Sequence, residues 1–400
     1  MQTFDVMVAG GGSAGIAAAL ASSRAGARTL LIERSAQLGG MGSNALVHTF
    51  CGLFHPDASQ PPHWLNPGIP AEIGQHLLAA SGRDQPDLMG RVYVLRHEPA
   101  EFARLAARLC AAEPALNLRT GTDLLSLRRD GDSWRFITTA DGQTTESTAR
   151  HVVDTTGAAA LAALCSPESH VVAEGERLYR PALVCRITGT AGPLDEHAPL
   201  QLAAILVRAV RSGDLPPAAM GAGFRQSPVR DDEVFMTLDL EAGGAAWNPL
   251  HQATLEAVKQ DAHKLAHGIW RHLAANHPLF ASSDQILMPD QLGVRESARW
   301  KGDHVLTAQE LRECRRFDDE IALAGWPLEF RETARGPKFV YFDKPEPAGI
   351  PARCLRTAEV PGIFFAGKCL SCDHEALASV RVMGTCLATG QAAGRLAASL

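Results

Sequence analysis

Near its start the chain runs FDVMVA, then GGGSAG, then IAAALASSRAG, and this succession restricts the fold more than any other feature. Phe4 to Ala9 is a short, mostly apolar run that reads as a strand. The Ala/Leu-rich run after the glycines reads as a helix. In such a strand, turn and helix, Gly10 permits the tight turn and Gly12 lets the backbone approach a pyrophosphate. Gly15 lets helix and strand pack closely, while Ser13 and Ala14 stand at a helix N-terminus whose free N–H groups face the phosphates. A second apolar run, Thr29 to Ile32, ends in Glu33 and Arg34. An acid about twenty residues after the glycines accepts hydrogen bonds from ribose hydroxyls. These elements together predict an α/β, Rossmann-like domain that binds a dinucleotide.

The first unit does not separate FAD from NAD, because both carry an ADP half. Later segments do. Gly39-Gly40-Met41-Gly42-Ser43 is a second glycine-rich turn, placed where a longer cofactor runs onward from its adenosine. Glu101 to Ala111 reads as a helix and Leu116 to Thr120 as a strand. A charged hairpin turns at Asp130-Gly131 and Asp141-Gly142 and returns into HVVDTTG, residues 151–157. Such elements complete a doubly wound sheet, with Thr156 and Gly157 at the carboxyl end of a strand, where ligands bind.

Length and charge narrow the setting. A chain of 400 residues calls for two domains, or three. A formal charge of -6 without basic blocks leaves no electrostatic footprint for nucleic acid. The N-terminus has no basic region ahead of its apolar run, so neither a signal peptide nor a membrane span is expected, and the expected compartment is the cytoplasm. Nine cysteines at scattered positions do not read as a disulfide framework.

The chain resembles the two-dinucleotide-fold flavoproteins, and more closely the FAD-dependent oxidoreductases related to fumarate-reductase-type and thiazole-synthase-type enzymes. The resemblance is carried by VAGGGSAGIAAALASSRAG with LIER, by LGGMGSN, VVDTTG and LGVRESARWKGDHVLT, and by PGIFFAGKCLSCDHEALASVRVMGTCLATGQAAG. It implies FAD, held by a domain made of residues 1–165 and 339–400, with an inserted α+β cap at 166–338. It further implies that Ile363 to Gly367 closes the FAD sheet and that Gly40, Met41, Gly367 and Gly384 lie on the cofactor. A second Gly-x-Gly-x-x-Gly after a strand is lacking, since Gly221-Ala222-Gly223 has no such flanks. The flavin's electron acceptor is therefore open: oxygen, a quinone, a second protein or a second substrate.

Within this frame GKCLSCDHE, residues 367–375, is a strand-to-helix loop on the cofactor's face. Cys369 and Cys372 have dithiol spacing, but small residues also suit close packing on a flavin. A zinc site would need two further ligands, and no metal is expected. His374 is a candidate for proton transfer, or for a hydrogen bond to the flavin or a backbone carbonyl. Arg381 follows on the same helix as a phosphate or carboxylate partner. Arg295, in VRESARW, either fixes an anionic substrate or the flavin dipole, or pairs with Glu296 or an Asp. His48, Cys51 and His55 are expected near the flavin edge. His263 and His267 sit four apart on a helix expected over Leu255 to Leu273.

The expected function is an FAD-dependent dehydrogenase or reductase that passes a hydride between a small polar, possibly anionic, substrate and flavin N5, with His374, Arg295 and Arg381 in the crevice. The alternative is an electron-transferring flavoprotein subunit with a protein partner, possibly using the Cys-x-x-Cys pair.

Overall fold

The computed structural model describes the chain except residues 173–177, 196, 241–246, 334–335 and 400. A seven-stranded sheet organises the N-terminal part. Leu116–Arg119, Thr29–Ile32, Gln2–Ala9 and Gln143–Asp154 run side by side and parallel. The other edge of Gln143–Asp154 is shared. Its first half pairs antiparallel with Ser133–Ala140, which pairs onward with Asp123–Asp130, and its last residues pair parallel with Ile363–Phe365. The C-terminal strand thus completes a sheet begun at the N-terminus, as the resemblance implies.

The strands read as apolar runs because both faces are covered. Side chains alternate across the sheet: Val6 and Val8 join one cluster with Ile16, Leu20, Phe102 and Leu387, and Met7 joins another with Trp134, Phe136, Trp300 and Phe365. Helix Ser13–Arg24 lies against helix Met383–Ser399 at close range. A Cβ at Gly390 or Gly394 would strike the backbone of Ala14 or Ala18, so these two glycines set the spacing.

A second sheet, antiparallel, has the order Ala222–Gln226, Glu233–Asp239, Ala182–Thr188, Gln285–Leu287. One face buries Leu183, Cys185, Ile187, Phe224, Val234, Met236 and Leu238 against helices Ala198–Ser212 and Gln252–Asn276. The latter helix extends the expected Leu255–Leu273 stretch at both ends. Arg186, Phe235, Asp239 and Arg225 alternate with the buried set and occupy the opposite face. No helix among the described residues is long and apolar enough to cross a membrane.

Candidate functional site

A cavity of about 490 Å³ opens at the carboxyl ends of the parallel strands. Its walls include Gly10, Gly12, Ser13, Ala14, Glu33, Arg34, Gly40, Met41, Thr156, Gly157 and Gly367, which the sequence assigns to the cofactor. Gly10 turns with φ +101°, while a Cβ on Gly12 would meet no protein atom, so the space above it is open. No side chain caps the Ser13–Arg24 helix, and its first N–H groups remain for a ligand. Glu33 accepts from Gly11 N at 2.6 Å and Ser35 N at 2.7 Å, tying the glycine turn to the end of the second strand.

Gly15 and Gly384 are not on the cavity wall. Gly15 leaves no room for a Cβ against Gly10 O, and Gly384 sits against the backbone of Cys51 and Gly52. Both act by packing.

The Thr155–Gly157 turn is held from below. Buried Asp154 accepts from Thr156 N and Oγ1 at 3.0 and 2.7 Å, from Leu161 N at 2.9 Å and from Trp300 Nε1 at 2.9 Å. Cys369 Sγ accepts from Gly157 N at 3.1 Å and Ala159 N at 3.3 Å. Ser297 Oγ donates to Gly157 O at 2.8 Å. The VRESARW segment is therefore fastened to the cofactor turn. That is its positional role, and Ser297, also on the wall, is a residue the sequence reading missed.

Arg299, Glu296 and His374 join this segment to the C-terminal loop. Arg299 donates to Cys372 O at 3.0 Å and to Glu296 at 2.7 Å, and His374 Nδ1 lies 2.9 Å from Glu296. His374 Nε2 lies 3.5 Å from Glu332. Burial disfavours the imidazolium, but Glu296 and then Glu332 outweigh it and hold the His374 pKa above its ordinary value. The ring stacks on Tyr179 at 4.5 Å, and the Arg381 guanidinium lies 5.3 Å from the same Tyr179 ring.

Of the three residues expected to carry catalysis, Arg381 alone is on the cavity wall. Arg295 spends its fork on Arg180 O at 2.6 Å and Asp239 at 2.7 Å, the ion-paired alternative of the sequence reading. Burial, eased by Asp239 and aggravated by Arg331 and Arg381, lowers its pKa to about 10, so it remains charged.

A profile of the FAD dependent oxidoreductase family matches residues 5–400. The chain belongs to that family. Its members bind FAD and carry out oxidation and reduction, which fixes cofactor and reaction class here. No curated protein matches by sequence. Among solved structures, a geranylgeranyl bacteriochlorophyll reductase-like protein from Thermoplasma acidophilum is 13% identical with a TM-score of 0.45, covering 100% of this chain and 79% of its own. The p-nitrophenol 4-monooxygenase PnpA from Pseudomonas putida is 12% identical with a TM-score of 0.43, covering 98% and 78%. A flavoprotein/dehydrogenase from Cytophaga hutchinsonii is 10% identical with a TM-score of 0.44, covering 100% and 78%.

FAD fits the donor set of the cavity. Beyond the open glycine turn, Lys368 extends along the wall past Gly157 and donates to Val294 O at 2.6 Å. It has no carboxylate partner among the described residues. Burial lowers its pKa and Arg381 and Arg34 lower it further, so an anion beside it relieves an uncompensated cation. A lysine directly after a strand-ending glycine was the available signal, and the sequence reading quoted it without giving it a role.

The remaining candidates lie off this wall. His48 is buried against Phe235 at 4.1 Å, and burial, with Arg225 nearby, lowers its pKa to about 3. Cys51 is half-buried, and His55 stacks on His63 at 4.5 Å. His267 Nδ1 meets His263 O at 2.9 Å. Among the described residues no group of three His, Cys, Asp or Glu side chains is arranged to hold a metal. Cys369 and Cys372 are free and buried. Burial, aided by Asp154, raises the Cys369 pKa, and burial raises Cys372 to about 12. A working dithiol needs the opposite shift.

Proposed function

We propose that this FAD-dependent oxidoreductase is a dehydrogenase or reductase for a small, polar, anionic substrate held between the FAD-binding segments, 1–165 and 339–400, and a cap formed by 166–338. Bound FAD supplies the hydride acceptor or donor at N5. The observation that supports the reading best is that one cavity joins the glycine turn, the Glu33–Arg34 strand end and the Thr155–Gly157 turn to Arg381, a cation with donors to spare. Residues Gly10 to Ala14 and Lys368 hold the phosphates, and Glu33 orders the turn on which they rest. Arg381 orients the substrate's anionic group. Tyr179, packed between elements of cap and cofactor segments, fixes Arg381, while His374, whose pKa Glu296 and Glu332 raise, is the group proposed for proton transfer.

The test is anaerobic reduction of the purified yellow protein by light, followed by mixing with hydroxy acids, amino acids, sugars and enoates. Recovery of flavin absorbance with an enoate, or bleaching of the oxidised protein by a hydroxy or amino acid, is the expected result. A protein that takes up no FAD, or whose flavin exchanges electrons only with another protein, would remove the proposal.

A further inference from the structure

Strand Ala222–Gln226 pairs with Glu233–Asp239 so that Arg225 stands opposite Phe235. Phe224 enters the apolar cluster beneath the cap sheet, hence Arg225 leaves by the other face. That face rests on the cofactor side, because Phe235 stacks on His48 at 4.1 Å. His48 leads into Cys51 and Gly52, and Cys51 O accepts from Gly384 N at 2.9 Å, which brings the turn after Arg381 to the same place. Cys51 packs against the cluster that holds Val382, the residue after Arg381, so the loop of residues 48–52 touches both Phe235 and the turn after Arg381.

The charges here do not balance. Asp239 bridges Arg295 at 2.7 Å and Arg331 at 2.6 Å, and Glu329 takes Arg331 at 2.7 Å. Two carboxylates therefore face four guanidiniums, those of Arg225, Arg295, Arg331 and Arg381. Arg381 reaches only the backbone O of Glu329, at 3.0 Å, and its buried Nε has no partner. Arg225 has no hydrogen bond or ion pair with any described residue, though its side chain is accessible. Neighbouring Arg96 is satisfied by Asp87 at 2.7 Å and by Gln226 O at 3.3 Å. Glu98 and Glu233, farther along the face, are engaged by Arg186 at 2.9 and 3.4 Å. Burial lowers the Arg225 pKa and Arg331 and Arg96 lower it further, a cost that an anion would reverse. His48 Nε2 and Thr385 Oγ1 are both buried and unpartnered among the described residues, and Thr385 Oγ1 lies against Gly52.

We infer that Arg225 and Arg381 form a carboxylate-binding subsite under the cap sheet, and that the substrate is an organic acid. The inference rests on the proposed function and narrows it. A planar two-oxygen anion matches the guanidinium fork, and Arg225, from the cap sheet, and Arg381, from the C-terminal segment, are the two guanidiniums here without a carboxylate partner among the described residues. A phosphate would more commonly meet backbone N–H groups at a glycine turn or helix N-terminus, which this chain places in the cofactor cavity.

The test uses the FAD-loaded protein and calorimetric titration with succinate, lactate and benzoate, their uncharged amides and inorganic phosphate, with the flavin spectrum recorded in parallel. At least one acid should bind, its amide at least about tenfold more weakly. Arg225→Gln and Arg381→Gln should each weaken the acid by about 10–100-fold, while Arg225→Lys recovers part of the loss and Arg225→Gln leaves FAD content unchanged. Acid binding indifferent to Arg225, or phosphate binding with the same arginine dependence while every acid fails, would overturn the subsite. Failure of the broader reading looks different, since the protein would then lack FAD, and calorimetry on that colourless protein would still decide whether the arginines take an acid.

Discussion

Replacing Lys368 with Met should weaken FAD binding more than any other single change on the cavity wall that leaves the glycine turn intact. Lys368 Nζ lies 2.6 Å from Val294 O, faces the cavity and has no acid partner among the described residues. Met keeps much of the stem's apolar packing but removes the charge. The loss is that of a hydrogen bond to a charged group, about 1.5–3 kcal/mol, or roughly 10–150-fold in Kd. Val294 O also loses its donor, so the apoprotein should soften by about 1 kcal/mol. FAD fluorescence quenching on titration of apoprotein gives the Kd, and repeating it at rising salt tests the cause, because screening should weaken the wild type more than the variant. The Lys368 pKa is held below its ordinary value by burial, Arg381 and Arg34. Protonated Lys368 favours the anion, so wild-type affinity falls as pH rises through that lowered pKa, and the variant lacks this limb. Equal Kd values with equal salt and pH dependence would show that Lys368 does not face the cofactor's charge.

Glu33→Ala should loosen FAD by about 1–3 kcal/mol, because Gly11 N and Ser35 N lose their acceptor, with Glu33→Gln losing less; unchanged Kd values from the same titration would refute this. Cys369→Ser/Cys372→Ser should retain FAD and substrate-driven flavin reduction, and native protein at pH 8 should leave both thiols unmodified by a thiol reagent; a disulfide formed in step with flavin reduction would revive the dithiol alternative. His48 and His97 have pKa values lowered to about 3 and about 4, so their neutral forms stabilise the fold above the unfolded value and that stability is lost as pH falls below about 6.5, at up to about 1.4 kcal/mol per unit for each. NMR of labelled histidines at pH 5 should find both neutral. His374 has the opposite sign: its ion pair contributes fully below about 6.5 and is lost as pH rises through its raised pKa, and Glu296→Gln should lower that pKa in the same spectra.

The cofactor half was legible because its chemistry is local in sequence. Gly10, Gly12 and Glu33 act through spacings fixed by one strand, one turn and one helix, so residue type and interval carried the meaning. The cap strands carry a local signal of the same kind: the strand-like runs RPALVCRIT and EVFMTLDL coincide with Ala182–Thr188 and Glu233–Asp239 to within a residue or two. Partners across elements were not legible. Arg295 meets Asp239, 56 positions away at the end of a strand of the second sheet, and no interval in VRESARW announces this. His374 was expected in the crevice from its loop alone, but its partners Glu296 and Tyr179, distant in sequence, were not visible there. Strands of three residues, such as His170–Val172 and Ala298–Trp300, are too short to show a period, though the second brings Trp300 to Asp154.

One turn connects the two sites. Arg381, Met383 and Cys386 line the FAD cavity, while Gly384 donates to Cys51 O and has no room for a side chain against Gly52. The loop that ends in Gly52 also carries His48, which stacks on Phe235 opposite Arg225 in the cap sheet. The Arg381 guanidinium is held by Glu329 O and the ring of Tyr179. In the proposed subsite a substrate anchored by its charge would have its reacting carbon directed toward the cavity that Arg381 also lines. Positioning of this kind lowers a barrier by removing orientational freedom before reaction. In that proposal the cap sheet contributes the second fork, so alignment of an acid requires one arginine from each segment. A neutral substrate would leave the buried Arg381 Nε without a partner, and for that reason the proposed subsite selects by charge before it selects by shape.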